Sequence, residues 1–401
     1  MTQQGNRRHS ARRTFRGCRR TTKRGPRKEQ IHPSRFIKAA RPVRKETYTA
    51  QHIFEDFALE PLLRKNILKR GFRTPSPIQD QAVPVGLAGG DIIGIADTGT
   101  GKTVAFALPV INRLLKDQNA RVLIMAPTRE LAQQILDEFK VMMQGMYIPT
   151  AILIGGASMR PQLRDLSRNA RIVIGTPGRI KDHLERKSLR LQNFTMVVLD
   201  EVDRMLDMGF VNDMRTILAQ MPQKKQAFFF SATMDPKVRA LIETFSQNPT
   251  MISVKTGDTS DYVEQNIVIY ATPQDRIKKL HDVLAKNRKS KIIIFDKTKR
   301  SVDRLSKMLC DRGFRSDAIH GNKTQVQRQR ALNKFKKNYI DVLVATDVAA
   351  RGIDVPDVTH VINYSIPQSY ADYVHRIGRA GRAGKSGSAL TFISQQEHNV
   401  A

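Results

Sequence analysis

The chain has 401 residues, 40% of them hydrophobic, so it is long enough for two domains with cores of their own. No uncharged apolar run approaches the roughly 18 residues that cross a bilayer, and the two cysteines, Cys18 and Cys310, exclude a disulfide framework or a cysteine metal site. Lys and Arg number 68 against 37 Asp and Glu, a net charge of +31 that points to a polyanionic partner. These features predict a soluble protein in a reducing, cytoplasmic setting.

Residues 1–50 form a densely basic tail. They hold 16 basic and two acidic residues, a net charge of +14, and almost no apolar residue precedes Ile31. Such a segment cannot bury enough surface to offset the entropy of ordering, so we predict that it is disordered. An arm that binds phosphates is the favoured interpretation, with a solubilising leader or a transit peptide as alternatives. Residues 31–40 are a candidate recognition segment with no assigned partner.

Two series of apolar, β-rich runs follow the tail, separated by helical stretches. Runs of this kind predict parallel sheets covered by helices on both faces. We therefore expect an α/β fold of two tandem domains, at 51–255 and 263–401, joined by a polar linker at 256–262. The predicted strands are Asp91–Ile95, Val122–Ala126, Ala151–Ile154, Ile172–Ile174, Val197–Leu199 and Ala227–Phe230 in the first series, and Ile267–Tyr270, Lys291–Phe295, Arg315–Ile319, Asp341–Ala345, His360–Asn363 and Ser388–Ile393 in the second.

The two series of predicted strands are followed by similar residues at corresponding positions. Val122–Met125 and Ile292–Phe295 each lead through a threonine into a predicted helix. Ile172–Ile174 and Val342–Val344 each end in a small residue followed by threonine. The correspondence indicates a duplicated α/β unit.

The strongest local motif is a phosphate-binding loop. Residues 96–103 follow a predicted strand and open a helix, where small residues and the helix N-terminus can approach phosphate oxygens. Lys102 is expected to reach the β- and γ-phosphates and Thr103 to bind Mg²⁺. The alternative is a glycine-rich turn without a ligand. The candidate contacts are Ala96 (glycine in the generic pattern), Asp97, Thr98, Gly99, Thr100, Gly101, Lys102 and Thr103.

Adjacent acids at the end of Val197–Leu199 predict a second element of an NTPase site. Asp200 is expected to hold Mg²⁺, partly through water, and Glu201 to orient and deprotonate the attacking water. The alternative is an exposed acidic end of a strand. Three acids within four residues, directly after a buried strand, favour the nucleotide site.

Residues 375–382 concentrate three arginines in the second domain. Phosphoryl transfer builds charge on the γ-phosphate oxygens, and guanidinium groups from a facing domain can stabilise that charge. A basic face that contacts RNA is the alternative. Since the second half of the sequence has no P-loop motif, one ATP at the interface of the two domains is the economical interpretation.

In order and approximate spacing, these motifs resemble those of the DEAD-box RNA helicases over about 340 residues, from Phe54 onward. The resemblance implies two RecA-like domains, a Q motif within 52–80, and ATP and Mg²⁺ as cofactors. It implies that Phe72 stacks on adenine with Phe54 as an upstream aromatic, and that Gln79 reads the adenine edge. Asp354 is implied to contact the ribose, and Arg379 and Arg382 the γ-phosphate. Coupling of hydrolysis to strand separation is implied for Asp203, Ser231 and Thr233. His375 is implied to link to the motif that contains Ser231 and Thr233.

The same resemblance implies an RNA surface. Hydroxyls, glycine N–H groups and arginines at strand ends suit phosphate and sugar contacts, so binding should be largely independent of base sequence. The glycine pair at 155–156 is equally compatible with a simple turn. The implied RNA contacts are Thr128, Arg129, Gly155, Gly156, Thr176, Pro177, Gly178, Arg179, Arg328 and Thr346.

Two residues depart from the family pattern. Val202 replaces the alanine of the Asp-Glu-Ala-Asp motif, which adds two methyl groups in a tight region, and we expect local accommodation. Ala380 replaces the commoner threonine and removes a hydroxyl. All three acids around Val202 remain.

The expected function is that of an ATP-dependent RNA helicase with a monomeric core, whose RNA-stimulated hydrolysis remodels single-stranded RNA, short duplexes or RNPs. An ATP-gated RNA clamp would carry identical motifs and stays open. A DNA translocase is disfavoured by the Q motif and the RNA-type contacts. Ribosomal and degradation RNPs are open alternatives for the physiological partner, and no membrane is involved.

Overall fold

The computed structural model describes residues 31–40, 48–97, 99–246, 248–254, 263–288, 290–350, 355, 357–381 and 387–399. The predicted disorder of residues 1–30 and the predicted linker at 256–262 lie outside the described residues, so both stay predictions. The described residues fold around two parallel sheets. No helix among them is long and apolar enough to cross a membrane.

The first domain contains a seven-stranded parallel sheet in the order β3-β4-β2-β5-β6-β1-β7. Its strands are β1 Ile92–Ala96, β2 Val122–Met125, β3 Thr150–Leu153, β4 Ile172–Gly175, β5 Met196–Leu199, β6 Gln226–Ser231 and β7 Thr250–Val254. Its helices are α1 Pro61–Lys69, α2 Pro77–Leu87, α3 Lys102–Lys116, α4 Arg129–Met142, α5 Met159–Ser167, α6 Pro177–Glu185, α7 Val202–Asp207, α8 Val211–Leu218 and α9 Pro236–Phe245.

The second domain contains a six-stranded parallel sheet in the order β10-β11-β9-β12-β13-β8. Its strands are β8 Val263–Tyr270, β9 Lys291–Phe295, β10 Ser316–Ile319, β11 Val342–Ala345, β12 Val358–Asn363 and β13 Gly387–Ser394. Its helices are α10 Pro273–Lys286, α11 Lys299–Asp311, α12 Gln325–Lys336, α13 Asp347–Ala350, α14 Tyr370–Ile377 and α15 Gln395–Asn399, and a 3₁₀ turn at Pro33–Phe36 precedes both domains in sequence.

Helices cover both faces of the first sheet, which explains why its strands are apolar without alternation. In β6, Phe228 and Phe230 join the core on one face, whereas Ala227 and Phe229 join the core on the other. Successive side chains of a strand point to opposite faces, so a strand buried on both sides must be apolar at every position. The predicted doubly covered sheet is therefore confirmed.

The two sheets share one strand order. If β1 to β6 are matched with β8, β9, β10, β11, β12 and β13 in turn, both sheets read identically, and β7 is an additional edge strand of the first. Thr128 and Thr298, the threonines that follow the central strands β2 and β9, each accept a hydrogen bond from the third residue of the next helix. The predicted duplication is confirmed at the level of topology.

The structure differs from the sequence predictions in three places. The strand β7 was not predicted, because it lies at an edge and buries only Ile252 within Thr250–Val254, and β8 begins at Val263 rather than Ile267. The predicted disordered tail also extends too far. Phe36 is buried, and the Tyr48 hydroxyl donates to Asp80 at 2.6 Å, so parts of 31–50 pack on the folded protein.

Candidate nucleotide site and RNA groove

The candidate site residues of the first domain meet because the carboxyl ends of parallel strands share one edge of the sheet. The P-loop follows β1, the Ser231 motif ends β6 and Asp200 follows β5, and these three strands are neighbours. Thr128 and Thr176 follow β2 and β4, farther along the same edge. The strand order therefore separates a nucleotide half of the edge from a predicted RNA half.

The P-loop is held by its own backbone. Gly99 and Gly101 have φ values of 87° and 94°, a region that favours glycine. The Lys102 ammonium group is buried and donates to the Ala96 carbonyl at 2.9 Å, and the Thr100 hydroxyl donates to the Asp97 carbonyl at 2.8 Å. Lys102 thus stands at the start of α3, where a phosphate could replace the carbonyl as its partner.

Residues of the predicted Q motif bond directly to the P-loop. The Gln79 amide donates to the Gly101 carbonyl at 3.1 Å, and its oxygen accepts from the Ser76 backbone N–H at 2.9 Å. The Ser76 hydroxyl donates to the Thr100 carbonyl at 2.7 Å. A Cβ at Gly101 would lie 2.3 Å from the Gln79 amide nitrogen, so this glycine is required by close approach as well as by its φ. Sequence reasoning assigned Gln79 to adenine and missed this structural link.

The predicted adenine aromatics lie beside this junction. Phe54 is fully buried, and its ring meets Phe72 edge-on at a centroid distance of 5.4 Å. The Phe54 backbone N–H donates to the Arg73 carbonyl at 3.0 Å. Phe72 is only half-buried, which leaves part of its ring available for stacking.

Asp200 has the chemistry of a cation ligand. It is 3% exposed, and its Oδ1 atom accepts no hydrogen bond from the described residues. Burial raises the pKa of Asp200 to about 6, although the nearby Lys102 charge acts in the opposite direction. A buried carboxylate oxygen without a donor fits a hard divalent cation, and Thr103 adds a hydroxyl at the start of α3.

Glu201 is held in an uncommon backbone conformation. Its φ and ψ are 56° and 55°, and this left-handed conformation joins β5 to α7. Both carboxylate oxygens accept from one Arg204 nitrogen, at 3.2 and 3.0 Å, and both side chains are buried. The turn and the ion pair fix the direction in which the Glu201 carboxylate points.

The Asp203 carboxylate joins α7 to the end of β6. Its Oδ2 accepts from the Ala232 and Thr233 backbone N–H groups at 3.1 and 3.0 Å, and from the Thr233 hydroxyl at 3.2 Å. In return, the Asp203 N–H donates to the Ser231 hydroxyl at 3.4 Å. The three predicted coupling residues therefore form one hydrogen-bonded unit directly beyond Glu201.

His375 of the second domain is within range of the charges around this unit. Burial, together with the positive charges of Arg204 and Arg379, lowers the pKa of His375 to about 4, while Asp203 and Glu201 act in the opposite direction. These charges lie at the N-terminal end of α7 and in the segment that follows α14. Asp203, which holds the Ser231–Thr233 segment, thus acts on His375 electrostatically, and the implied link of His375 to that segment stays a prediction.

The three arginines of residues 375–382 have different surroundings. Arg376 is buried and structural: it donates to Asp347 Oδ2 at 2.7 Å and to the Ser365 carbonyl at 2.8 Å. Arg379 is 4% exposed and lies beside His375. Arg382, together with Thr98 and Asp354, lies outside the described residues, so these roles stay predictions.

An open groove runs from the first domain to the second on the predicted RNA side. Seven of the ten predicted RNA contacts line it, whereas Gly156, Pro177 and Thr346 do not. Sequence reasoning missed Met208 and Phe210, which reach the groove from the end of α7. The lining residues are Pro127, Thr128, Arg129, Glu130, Gly155, Thr176, Gly178, Arg179, Met208, Phe210, Gly321 and Arg328.

The glycine pair makes room for Arg129. A Cβ at Gly156 would lie 2.1 Å from an Arg129 guanidinium nitrogen, and Gly156 has a φ of +70°; at Gly155 the closest approach would be 3.3 Å. Burial and the charges of Arg328 and Arg179 lower the pKa of Arg129, although Glu130 raises it. A crowded guanidinium cluster of this kind favours a phosphate in the groove.

Arg328 also bridges the two domains. Its guanidinium lies 2.8 Å from Glu130 Oε2, in a contact too poorly aligned for a hydrogen bond, and both side chains are less than 10% exposed. The Gln325 amide donates to the other Glu130 oxygen at 3.3 Å. The first turn of α12 is therefore fixed against the first turn of α4 within this groove.

Comparison with known proteins agrees with this geometry. The chain matches the DEAD/DEAH box helicase family over residues 76–242 and the helicase conserved C-terminal domain over residues 275–384. It is 44% identical over 345 residues to the ATP-dependent RNA helicase CshA of Listeria monocytogenes, covering 86% of this chain and 66% of that protein. It is 42% identical over 348 residues to the DEAD-box ATP-dependent RNA helicase CshA of Bacillus subtilis, covering 86% and 70%. The structure of S. cerevisiae Dbp5 bound to RNA and ADP BeF3 superposes with a TM-score of 0.76 and 30% identity, covering 86% of this chain and 90% of that one.

The chain belongs to the DEAD/DEAH box helicase family. It spans about two thirds of the length of the two bacterial relatives. The expected fold is confirmed, and so is the expected class of enzyme, an ATP-hydrolysing RNA helicase. The roles of individual residues remain predictions, because family membership by itself does not assign them.

The two departures from the DEAD-box pattern are both buried. Val202 is fully buried in the core that contains Phe229, so its additional methyl groups are packed. Ala380 is also fully buried, and a Cβ at Gly387 would lie 2.7 Å from the Ala380 Cβ. Position 387 therefore needs a small residue, because the Ala380 side chain lies next to it.

Proposed function

We propose that this DEAD-box helicase couples ATP hydrolysis to local, largely sequence-independent unwinding of short RNA duplexes. The observation that carries the proposal is that the two domains interact at two places: Arg328 lies 2.8 Å from Glu130 in the groove, and His375 is within range of the charges of Asp203 and Glu201. A ligand that favours either contact favours closure of the domains and hence the other contact. Binding of ATP and binding of RNA would then support each other.

In this proposal each nucleotide-site residue has one task. Lys102 and Arg379 stabilise charge on the γ-phosphate, and Glu201, oriented by Arg204, accepts a proton from the attacking water. Asp200 and Thr103 hold Mg²⁺, which when bound neutralises phosphate charge. Support comes from the buried, donor-free oxygen of Asp200 and from the ion pair that aims Glu201.

The position of α7 gives a route from hydrolysis to RNA. Asp203 lies two residues after Glu201 and holds the Ser231–Thr233 segment, and α7 leads to Met208 and Phe210 in the RNA groove. A change at the γ-phosphate can therefore move both the domain contact at His375 and the groove. We place this activity in the cytoplasm on a single RNA-bound chain, with ribosomal or degradation RNPs as candidate targets.

RNA-stimulated ATPase activity tests the coupling. We expect RNA to raise turnover, and equal turnover with and without RNA contradicts the proposal. Glu201→Gln should still bind ATP but hydrolyse it poorly, whereas normal turnover would remove Glu201 from its role. Displacement of a strand from a short duplex separates unwinding from ATP-gated clamping, and competition between RNA and DNA of equal sequence tests the choice of nucleic acid.

A further inference from the structure

The segment His32–Ala40, which we call the N-terminal strap, precedes the first domain in sequence but packs on the second. Its Lys38 exchanges two backbone hydrogen bonds with Gln265 of β8, at 3.0 and 2.8 Å, as an antiparallel bridge. Because β8 is an edge strand of the second sheet, the strap covers part of an otherwise unpaired edge.

Aromatic contacts anchor the strap to α14. Phe36 is fully buried and meets the Tyr373 ring edge-on at a centroid distance of 4.8 Å, and Arg35 lies 3.9 Å from the centre of the Tyr370 ring. The buried Tyr373 hydroxyl donates to the Gln265 side chain at 2.9 Å, which closes the contact between strap, helix and strand. A buried ring and a paired backbone indicate a specific docking site rather than a passing contact.

The described residues that follow the strap in sequence contact the first domain. Only seven residues separate Ala40 from Tyr48, a span of at most about 30 Å when fully extended. Beyond them, Asp80 of α2 accepts hydrogen bonds from the Tyr48 hydroxyl at 2.6 Å and from the Gln51 N–H at 2.8 Å. Both ends of this connection are therefore fixed, one on each domain.

We infer that the strap is a second tether between the two domains, in addition to the chain that leads from β7 to β8. The two connections are anchored on neighbouring elements in each domain: α2 packs beside β7 in the first domain, and the strap pairs with β8 in the second. A single linker leaves the domains free to rotate about it, whereas two connections anchored on neighbouring elements restrict twisting and still permit opening. The tether thereby reduces the freedom lost on closure and raises the effective concentration of one domain at the other.

This inference rests on the proposed function, since closure on RNA is the step that the tether favours. The full-length protein is compared with a variant carrying a 20-residue Gly-Ser insertion between Ala40 and Tyr48, which lengthens the connection without touching the docking site. Phe36→Ala releases the docking site itself. The matched controls are the same insertion between Gln30 and Ile31, and Ile37→Ala, which alters a strap side chain that is 52% exposed.

The measurement is RNA-stimulated ATPase activity at saturating ATP across an RNA titration. We expect the lengthened tether and Phe36→Ala each to raise the half-saturating RNA concentration three- to tenfold with maximal turnover changed less than twofold, and both controls to match the unaltered protein. An unchanged RNA dependence in the lengthened variant overturns the tether. A lower maximal turnover in Phe36→Ala alone would show that the strap only braces α14, and also overturns it. Absence of RNA stimulation in the unaltered protein would instead overturn the proposed function.

Discussion

The ion pair between Glu130 and Arg328 offers a direct measure of how strongly the domains are coupled. Two unit charges at about 4 Å attract by about 4 kcal/mol at an effective dielectric constant of about 20. Both side chains are less than 10% exposed, so desolvation offsets part of this attraction. We expect a coupling energy of about 2 kcal/mol, which corresponds to about 30-fold in the closing equilibrium.

A double-mutant cycle isolates that coupling. Glu130→Gln, Arg328→Gln and the double variant are compared with the unaltered protein by fluorescence anisotropy of labelled RNA with a non-hydrolysable ATP analogue. Glu130→Gln also leaves the guanidinium cluster of Arg129, Arg179 and Arg328 less neutralised, which strengthens non-specific RNA binding at low salt. Measurement at two salt concentrations separates this effect from the loss of closure. A coupling energy within about 0.5 kcal/mol of zero would refute the reasoning, because independent sites show that much scatter.

Three further predictions follow from single contacts. Val202→Ala removes two methyl groups from a fully buried site, so it should lower the free energy of unfolding by roughly 1–3 kcal/mol in a denaturant melt. ATP turnover per folded molecule should stay unchanged. A large change in turnover would instead show that Val202 adjusts the rate of hydrolysis. Gly156→Ala should displace Arg129 and weaken RNA binding, measured by anisotropy, about tenfold. Gly155→Ala should have a much smaller effect, because its Cβ would lie 3.3 Å from the nearest Arg129 nitrogen. Equal effects of the two substitutions would exclude the steric explanation. The folded pKa of His375 is about 4, below the ordinary 6.5, so the unfolded state binds this proton more readily and the protein loses stability as the pH drops below 6.5. Between pH 7.5 and 5.5, the free energy of unfolding of His375→Gln should therefore fall by about 1 kcal/mol less than that of the unaltered protein. Parallel curves of unfolding free energy against pH would contradict the assignment.

The sequence alone determined the fold class and predicted the contents of the nucleotide site. Strands buried on both faces must be apolar throughout, so β2, β5 and β6 can be recognised in the sequence as continuous apolar runs. The P-loop and the Asp200–Glu201 pair are contiguous in sequence, so their chemistry can be inferred from residue type and spacing. In β7 only Ile252 is buried, so this signal is absent, which is why β7 was missed.

Only the tertiary structure decided which residues meet across long separations in sequence. Glu130 and Arg328 are nearly 200 residues apart, and neither residue type nor local spacing shows that they form an ion pair. Gln79 was assigned to a ligand, but its amide also supports the P-loop, a contact that depends on how α2 approaches β1. Phe36 lies in a segment whose basic composition predicts disorder, yet one aromatic ring and one paired backbone residue fix it to the second domain. Composition averages over a segment, whereas docking depends on a few atoms and on a complementary surface elsewhere in the chain.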